Sequence, residues 1–542
     1  MGRFVRVLRD VLSSRATART TAAFVLFVVA EYAVWIGMLV YAYGHGGATA
    51  AGLVAVAQLV PGTLLSPLVA AVADRRSPTT LLVGGYLVQA VGMVGVAATL
   101  WAGGPPLVAY AFAIVASTAM GTTRPAQYAL LPALARDAQQ LAGATAVAGW
   151  AENGGILLAA VVAAVFLALD QIGTLFAVNA AFVVLAAVLV FPVKVPGLAV
   201  ADDDEEPGAG ALVTEGIREV ATHRRPRLLV GLLTVQFVVV GALDVLFVVL
   251  ALSVLHKGQG WVGYLNGVYG LGAVLSGVLT AHLVGRRLTL VLWVSALVVG
   301  AGLAATALTS QAAVVLVLLG VVGAGRAVLV IGANTLLPRV VPATMVGRVF
   351  GMVEGLSMAG LAIGSLLTPL LIKAGGHQVA LVVVGCLLPA TVLAGWATLR
   401  RMEEGVSVPV VEMALLRSVP HFAELPAPAL ETLAGALERV DAVDGQVLIR
   451  QGDEGDRFYV VADGQVAVTV DGQDRGTRGR GSGLGEIALL RRTPRTATVT
   501  ARGPVTLFAL EAPTFLAAVG SHAATRRRAD QAATAWTEAD QG

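Results

Sequence analysis

The sequence predicts an all-α membrane bundle of 12 transmembrane helices, arranged as a 6+6 parallel repeat, joined to a soluble C-terminal domain of β-strands with flanking helices. First, the 542 residues are 57% hydrophobic and 13% charged, whereas a soluble domain carries roughly 25% charged residues. Second, about 24% of residues 401–542 are charged, against about 9% of residues 1–400. Third, the first 400 residues contain twelve apolar stretches of about 20 residues, the length that crosses a bilayer.

The twelve predicted spans form two groups of six, separated by a polar loop that contains the acidic run DDDEE at 202–206. The predicted domains are an N-terminal segment 1–20, a first half 21–192, a central loop 193–227, a second half 228–400, a linker 401–411 and a C-terminal domain 412–536. The spans are 21–43, 48–73, 79–101, 106–127, 143–168, 172–192, 228–254, 260–284, 288–308, 312–335, 347–372 and 378–399.

Basic residues orient the predicted bundle. With the N-terminus in the cytoplasm, 18 Lys and Arg residues fall in cytoplasmic loops or ends, whereas only Lys257 and Lys373 fall in outer loops. Cytoplasmic loops of membrane proteins carry such an excess of Lys and Arg. We therefore expect a multi-pass protein of the plasma (inner) membrane, with both termini, the central loop and the C-terminal domain in the cytoplasm.

Composition excludes several classes of protein. The formal net charge is +3 and the basic excess lies in the membrane part, so we expect no nucleic-acid partner. Cys386 is the sole cysteine, which excludes an intramolecular disulfide and a thiolate metal site. The sequence contains no nucleophile–base set, metal-ligand cluster or Walker loop, so we expect neither an enzyme nor a bound metal. The first apolar stretch is too long for the h-region of a signal peptide.

An internal repeat relates the two halves. LLPALA at 130–135 and LLPRVV at 336–341 both end a span, and their offset of 206 residues also places Gly149 on Gly355. Six spans repeated in parallel is the arrangement of the major facilitator superfamily, which residues 15–400 resemble. The stretches 124–147 and 341–369 are most similar to the branch that contains macrolide and siderophore exporters, to which lysophospholipid transporters are related.

The loop after the second span supports this resemblance. LVAAVADRR at 68–76 is similar to the family's motif G-x-x-x-D-R-x-x-R-R, with its leading glycine replaced and its basic end shortened. The resemblance implies that Asp74 and Arg75 form a cytoplasmic gate by pinning neighbouring helix ends. The corresponding loop of the second half, 277–287, keeps the glycine and the arginines but lacks the aspartate. Ordinary anchoring by basic residues is the alternative interpretation.

Six ionisable residues lie inside predicted spans, where a lipid-facing charge costs roughly 2.5–3.5 kcal/mol or more. They should therefore face the bundle interior and pair. At about 1.5 Å per residue, depth favours two pseudo-symmetric pairs, Arg124–Glu152 and Arg326–Glu354, that break and re-form as the halves rock. Static ion pairs, or snorkelling of Arg124, are the alternatives. The transport and proton-coupling candidates are Glu31, Arg124, Glu152, Asp244, Arg326 and Glu354.

Glu31 has no basic residue nearby in its own span, and we expect it to lack a partner. Burial without a partner favours the neutral carboxyl and suits reversible protonation. Glu31 is therefore the preferred proton carrier. Asp244 is a second protonation candidate, with a polar kink or a role in the outer vestibule as alternatives.

The C-terminal domain contains a specific motif. GEIALLRRTPRTATV at 485–499 closely resembles the phosphate-binding cassette of cyclic nucleotide-binding domains. The resemblance extends upstream to FAELP at 422–426 and to QGDEGDRFYVV at 451–461, within a pattern of alternating strands and glycine turns. It implies a cytoplasmic β-roll with flanking helices. A domain of this kind that has lost its ligand is the alternative.

The resemblance implies a role for each cassette residue. A short helix from Gly485 presents backbone N–H groups to the cyclic phosphate, and Glu486 accepts a hydrogen bond from the ribose 2′-hydroxyl. Arg495 pairs with the phosphate oxygens through its planar guanidinium, and the small Ala488 leaves room for the ligand. The residues implied in nucleotide binding are Gly485, Glu486, Ile487, Ala488, Arg495 and Thr496.

The sequence does not decide which base the nucleotide carries. The hydroxyl of Thr496 could favour guanine in its syn form but does not decide alone, and we favour cAMP over cGMP on general grounds. The segment 522–536 is a candidate lid helix, in which Trp536 or another apolar side chain caps the base.

Together these features predict a secondary active transporter that couples protons to the efflux of a small amphipathic molecule by alternating access, under regulation by cytosolic cyclic nucleotide. A lysophospholipid flippase or a nutrient importer on the same scaffold is one alternative. A membrane-bound cyclic nucleotide receptor with a non-transporting anchor is another. The expected partners are the lipid bilayer, the substrate and protons, and both monomer and dimer remain open.

Overall fold

The computed structural model divides the chain into two compact units, Met1–Glu404 and Gly405–Gly542. It describes residues 14–73, 77–134, 138–193, 218, 220–283, 288–341, 345–405, 410–419, 422, 425, 430, 433–491 and 493–520. Three predicted features lie outside these residues: the gate residues Asp74 and Arg75, the acidic run at 202–206, and the candidate lid at 522–536.

The first unit is built of apolar α-helices. Within the described residues, eight helices are long and apolar enough to cross a membrane. The number of spans, twelve, stays a prediction. The helices are α1 Arg15–Ala73, α2 Pro78–Trp101, α3 Pro106–Ala133, α4 Ala138–Ala168, α5 Ile172–Val190, α6 Arg224–Val249 with a π-helical turn Leu250–Val254, α7 Gly260–Leu283, α8 Leu288–Thr306, α9 Ala312–Val340, α10 Val346–Ala394 and α11 Trp396–Gly405.

Paired glycines bend the two longest helices. In α1 the bend falls at Gly46 and Gly47, and in α10 at Gly375 and Gly376, where backbone dihedrals leave the helical range. Gly47 has φ +63° and Gly376 has φ +78°, the left-handed region that favours glycine. Each bend lies in the interval that separates two predicted spans, so α1 and α10 each consist of two helices joined across a kink.

The N-terminal half (α1–α5) and the C-terminal half (α6–α10) meet at one end of the bundle, which we call the closed end. There α1 contacts α6, because the hydroxyls of Tyr43 and Ser253 lie 2.6 Å apart. An added Cβ at Gly52 of α1 would collide with the Ser365 carbonyl of α10. Likewise an added Cβ at Gly263 of α7 would lie 2.6 Å from Ala164 of α4. Small residues therefore allow the two halves to pack closely at this end.

The opposite end of the same helices is more open. Gly149 and Gly154 of α4, and Gly347 and Gly351 of α10, have no atom within 4 Å of an added Cβ. The other ends of these segments pack tightly, at Ala164 of α4 and Ser365 of α10. The described residues therefore show close packing between the halves at the closed end, and glycines with open surroundings toward the other end, which we call the open end.

The second unit is an antiparallel β-sheet flanked by short helices. The order of its main strands is β1-β6-β3-β4, with β2 paired to β6 and β5 paired to β3. The elements are α12 Val410–Ser418, β1 Glu438–Ala442, β2 Val447–Ile449, β3 Arg457–Val470, β4 Gln473–Arg478, β5 Gly483–Leu484, α13 Glu486–Arg491, β6 Thr498–Glu511 and α14 Ala512–Gly520.

The long strands β3 and β6 form the centre of this sheet. They pair from Arg457 opposite Glu511 to Thr469 opposite Thr498, with bulges between Val461 and Gln465. Alternate residues of both strands enter two apolar clusters, one of which also contains residues of the flanking helices. The rings of Phe458 and Phe515 stack at 4.7 Å in that cluster. This packing holds the segment between β5 and β6, which carries the cassette motif, against the sheet.

Candidate functional site

The cassette segment begins at a turn that requires glycine. Gly485 follows β5 with φ +86°, and an added Cβ would collide with Nη1 of Arg495. Helix α13 starts at the next residue, and its residues Ile487 and Ala488 are buried. The glycine thus allows α13 to start directly over the arginine ten residues further along the chain.

Arg495 is buried, with 5% of its surface exposed. Its Nη1 donates to the carbonyl oxygen of Gly485 at 3.0 Å, and its Nη2 donates to the carbonyl oxygen of Arg457 at 2.7 Å and to Oδ1 of Asp456 at 3.2 Å. Because three acceptors hold the planar group, its orientation is fixed before any ligand binds. A guanidinium presented in this way is suited to an oxyanion.

Glu486 lies beside this arginine with an unsatisfied acceptor. Its Oε2 is excluded from solvent and has no hydrogen-bond partner in the structure. Burial raises the pKa of Glu486 above its ordinary value, although a backbone hydrogen bond and the positive charges of Arg478 and Arg495 oppose the rise in pKa. A buried acceptor without a donor is costly, so a ligand hydroxyl at this oxygen would remove the cost.

These residues line a cleft. Leu484, Glu486, Ala488, Arg495 and the predicted Thr496 line it. Arg478, at the end of β4, is a lining residue that sequence reasoning missed, because the motif gives no signal for it. Apolar side chains complete the wall, namely Ile449, Val468, Ala497 and Val499. The cleft therefore combines an apolar wall with one buried cation and one unpartnered acceptor.

Within the helical unit, two carboxylates share Arg124 of α3. Its Nη2 lies 2.9 Å from Oε2 of Glu31 on α1, and its Nη1 lies 3.7 Å from Oε1 of Glu152 on α4. The predicted Arg124–Glu152 pair is present, but it is the longer of the two contacts. The expectation that Glu31 lacks a partner is wrong, because α1 packs against α3 and brings a cation from 93 residues away.

The predicted Arg326–Glu354 pair is also wrong in the described structure. Glu354 of α10 is exposed. The guanidinium carbon of Arg326, on α9, lies 5.5 Å from the centre of the Tyr269 ring on α7. Depth along a helix gives the height of a side chain but not the direction in which it points, and Arg326 points toward α7.

Asp244 of α6 reaches the other half of the bundle. Its Oδ2 accepts a hydrogen bond of 3.1 Å from the indole Nε1 of Trp35 on α1. Asp244 also lies within electrostatic range of Arg326. The structure thus assigns the six ionisable candidates to three environments: the Arg124 cluster, the Asp244–Arg326 region, and the exposed Glu354.

Comparison with protein families identifies the helical unit. The family model of the Major Facilitator Superfamily matches residues 20–351, and again residues 259–437. The chain belongs to the Major Facilitator Superfamily. A second family model, the cyclic nucleotide-binding domain, matches residues 439–522. Both predicted resemblances are therefore confirmed, together with the predicted fold class of an apolar helical bundle joined to an antiparallel β domain.

Individual relatives match the C-terminal part of the chain. The cAMP-dependent protein kinase regulatory subunit of Yarrowia lipolytica is 39% identical over 105 residues, which cover 19% of this chain and 28% of that protein. The protein of the same name from Dictyostelium discoideum is 43% identical over 101 residues, which cover 17% and 29%. The chain thus spans less than a third of the length of these curated relatives.

A solved structure is similar in the same region. It is described as the regulatory domain of Toxoplasma gondii PKA with cAMP, and it is 34% identical. The match covers 22% of this chain and 47% of that chain, with a TM-score of 0.21.

Proposed function

We propose that this member of the superfamily is a secondary active transporter that exports a small amphipathic molecule against a flow of protons, under regulation by cytosolic cAMP. The best support is the combination of two sites in one chain. In the superfamily bundle, Arg124 lies between two carboxylates. In the C-terminal cleft, Arg495 lies beside the unpartnered oxygen of Glu486.

Proton coupling is attributed to the shared arginine. One carboxylate is enough to compensate the charge of Arg124, so the second can gain or lose a proton without leaving the arginine unpaired. When Arg124 turns from Glu31 toward Glu152, Glu31 is released for protonation. All three side chains are between 21% and 25% exposed, so protons can reach them.

Alternating access requires that the halves close at one end at a time. In the orientation that the basic residues favour, the closed end lies on the outer side of the plasma (inner) membrane and the open end faces the cytoplasm. The Trp35–Asp244 hydrogen bond lies between the halves. We therefore propose an inward-facing state for this arrangement, in which substrate would enter from the cytoplasm.

Regulation is attributed to the cleft of the C-terminal unit. Arg495 would pair with the cyclic phosphate, and Glu486 would accept the ribose hydroxyl. The relatives are named cAMP-dependent, which favours cAMP over cGMP. Regulation requires that the nucleotide binds two transporter states with different affinities.

Calorimetry on the full chain tests nucleotide binding. We expect cAMP to bind the wild-type protein, and Arg495→Ala to abolish binding because the phosphate loses its only buried cation in the described cleft. Arg502→Ala is the matched control, since Arg502 is exposed on the same domain. Absence of heat with millimolar cAMP would contradict the proposal.

A transport screen of amphipathic compounds, in everted vesicles with and without cAMP, tests the transport part. Once a substrate is found, Glu31→Gln should stop efflux driven by a pH gradient but leave exchange of substrate for substrate intact. Unchanged proton-driven efflux in Glu31→Gln would remove Glu31 from the coupling mechanism.

A further inference from the structure

Arg326 is a charge within the bundle that lacks an acidic partner. It lies on α9 and is half-buried, and its Nε is excluded from solvent without a hydrogen-bond partner. Among the residues that the structure describes, no carboxylate forms an ion pair with it. A cation in an apolar helical bundle is costly unless its charge is compensated. An anion bound beside Arg326 would therefore lower the cost of burying its charge.

A buried tyrosine hydroxyl lies beside this arginine. Tyr269 of α7 places its ring 5.5 Å from the guanidinium carbon of Arg326, and its hydroxyl interacts with the Arg326 side chain. The unpartnered Nε–H of Arg326 and this hydroxyl therefore lie side by side on adjacent helices. An added Cβ at Gly323 of α9 would collide with the Tyr269 carbonyl, so close backbone packing holds these helices together.

The nearest acid, Asp244, is shared between Arg326 and the other half of the bundle. Asp244 interacts electrostatically with Arg326, but its Oδ2 accepts the hydrogen bond from Trp35 across the two halves. The aromatic surroundings continue at Phe247, whose ring meets that of Tyr269 edge-on at 5.5 Å. The two donors thus adjoin an aromatic surface.

We propose that Arg326 and Tyr269 form an anion-binding subsite for the transported molecule, which carries a carboxylate next to an aromatic or apolar body. The planar guanidinium matches the two oxygens of a carboxylate, and the tyrosine hydroxyl supplies a further donor. This inference rests on the proposed transport function and specifies the class of substrate.

Thermal unfolding of the detergent-solubilised full chain tests the subsite, with benzoate as the probe and the neutral benzamide as its control. Benzoate should raise the unfolding midpoint of the wild-type protein, and benzamide should not. Arg326→Met should weaken the apparent affinity for benzoate by about tenfold or more, the effect of losing a charge-assisted hydrogen bond. Tyr269→Phe should weaken it less, because the ring and the arginine remain.

Two control variants separate this subsite from other arginines. Arg495→Ala, in the nucleotide cleft, and Arg502→Met, on the exposed surface, should keep the wild-type response to benzoate. If Arg326→Met fails to fold, Arg326→Lys keeps the charge and should respond with reduced affinity, because a lysine cannot make the bidentate contact. An equal benzoate response in wild type and the folded Arg326 variant, or no response in wild type, would overturn the proposal. Since no transport is measured, a chain that binds benzoate but transports nothing would contradict the proposed function alone.

Discussion

Replacement of Glu486 tests the nucleotide cleft in a quantitative way. Its Oε2 is buried and unpartnered, so a ribose hydroxyl would add one charge-assisted hydrogen bond, worth about 1.5–3 kcal/mol. Glu486→Ala should therefore weaken cAMP binding by about 10- to 150-fold. Glu486→Gln keeps a neutral acceptor, whose hydrogen bond contributes about 0.5–1.5 kcal/mol, and should lose less affinity than the alanine variant.

The same residue predicts opposite pH trends for stability and for binding. Burial raises the pKa of Glu486 in the folded protein, so the folded state retains its proton where the unfolded state has lost it. The stability of the unliganded C-terminal unit should consequently fall as pH rises through this pKa. The affinity for cAMP should rise over the same range, because the ribose hydroxyl donates to the ionised carboxylate. Arg478 and Arg495 are the charged groups that act on Glu486.

Isothermal titration calorimetry between pH 5 and pH 8 measures the affinity, and thermal unfolding measures the stability. Glu454→Gln is the matched control, since Glu454 is an exposed residue of the same unit and should change neither quantity. An affinity loss below about tenfold in Glu486→Ala, smaller than one charge-assisted hydrogen bond gives, or an affinity that falls as pH rises, would refute this reasoning.

Two glycine replacements test the backbone geometry. Gly485→Ala should abolish measurable cAMP binding in calorimetry, because the new Cβ collides with Arg495. Gly503 has a similar φ of +77° but open space around it. Gly503→Ala should therefore keep cAMP binding and lower the free energy of unfolding only by the backbone cost of roughly 1–2 kcal/mol. Gly47→Ala should lower the unfolding temperature of the helical unit through the same cost at φ +63°, while Gly44→Ala should not. Equal effects of the two would contradict the role given to Gly47 in the bend.

The nucleotide cleft could be predicted from sequence because most of its residues lie in one short segment. Gly485, Glu486 and Arg495 are at most ten residues apart, and the motif indicates their arrangement. The partner that helps to orient the arginine is Asp456, 39 residues earlier. It reaches Arg495 only through the pairing of β3 with β6, which the motif does not encode.

The bundle interior was harder to predict, because depth along a helix leaves rotation about its axis undefined. Depth correctly joined Arg124 to Glu152, which lie on helices that follow each other in the chain. Depth did not identify Glu31 as the closer partner of Arg124, since that contact depends on how α1 packs against α3. The same limit explains why Arg326 contacts Tyr269 on α7 rather than a residue of α10.

A distance measurement across the open end tests the central proposal, that the nucleotide controls the transporter. Cys386 is the sole cysteine, so replacing it with serine allows spin labels to be attached at Gly149→Cys of α4 and Gly347→Cys of α10, where the structure has open space. Pulsed electron paramagnetic resonance should show that saturating cAMP shifts the distribution of distances between the two labels, and that Arg495→Ala removes the shift. Identical distributions with and without cAMP, in a protein that calorimetry shows to bind it, would contradict the account.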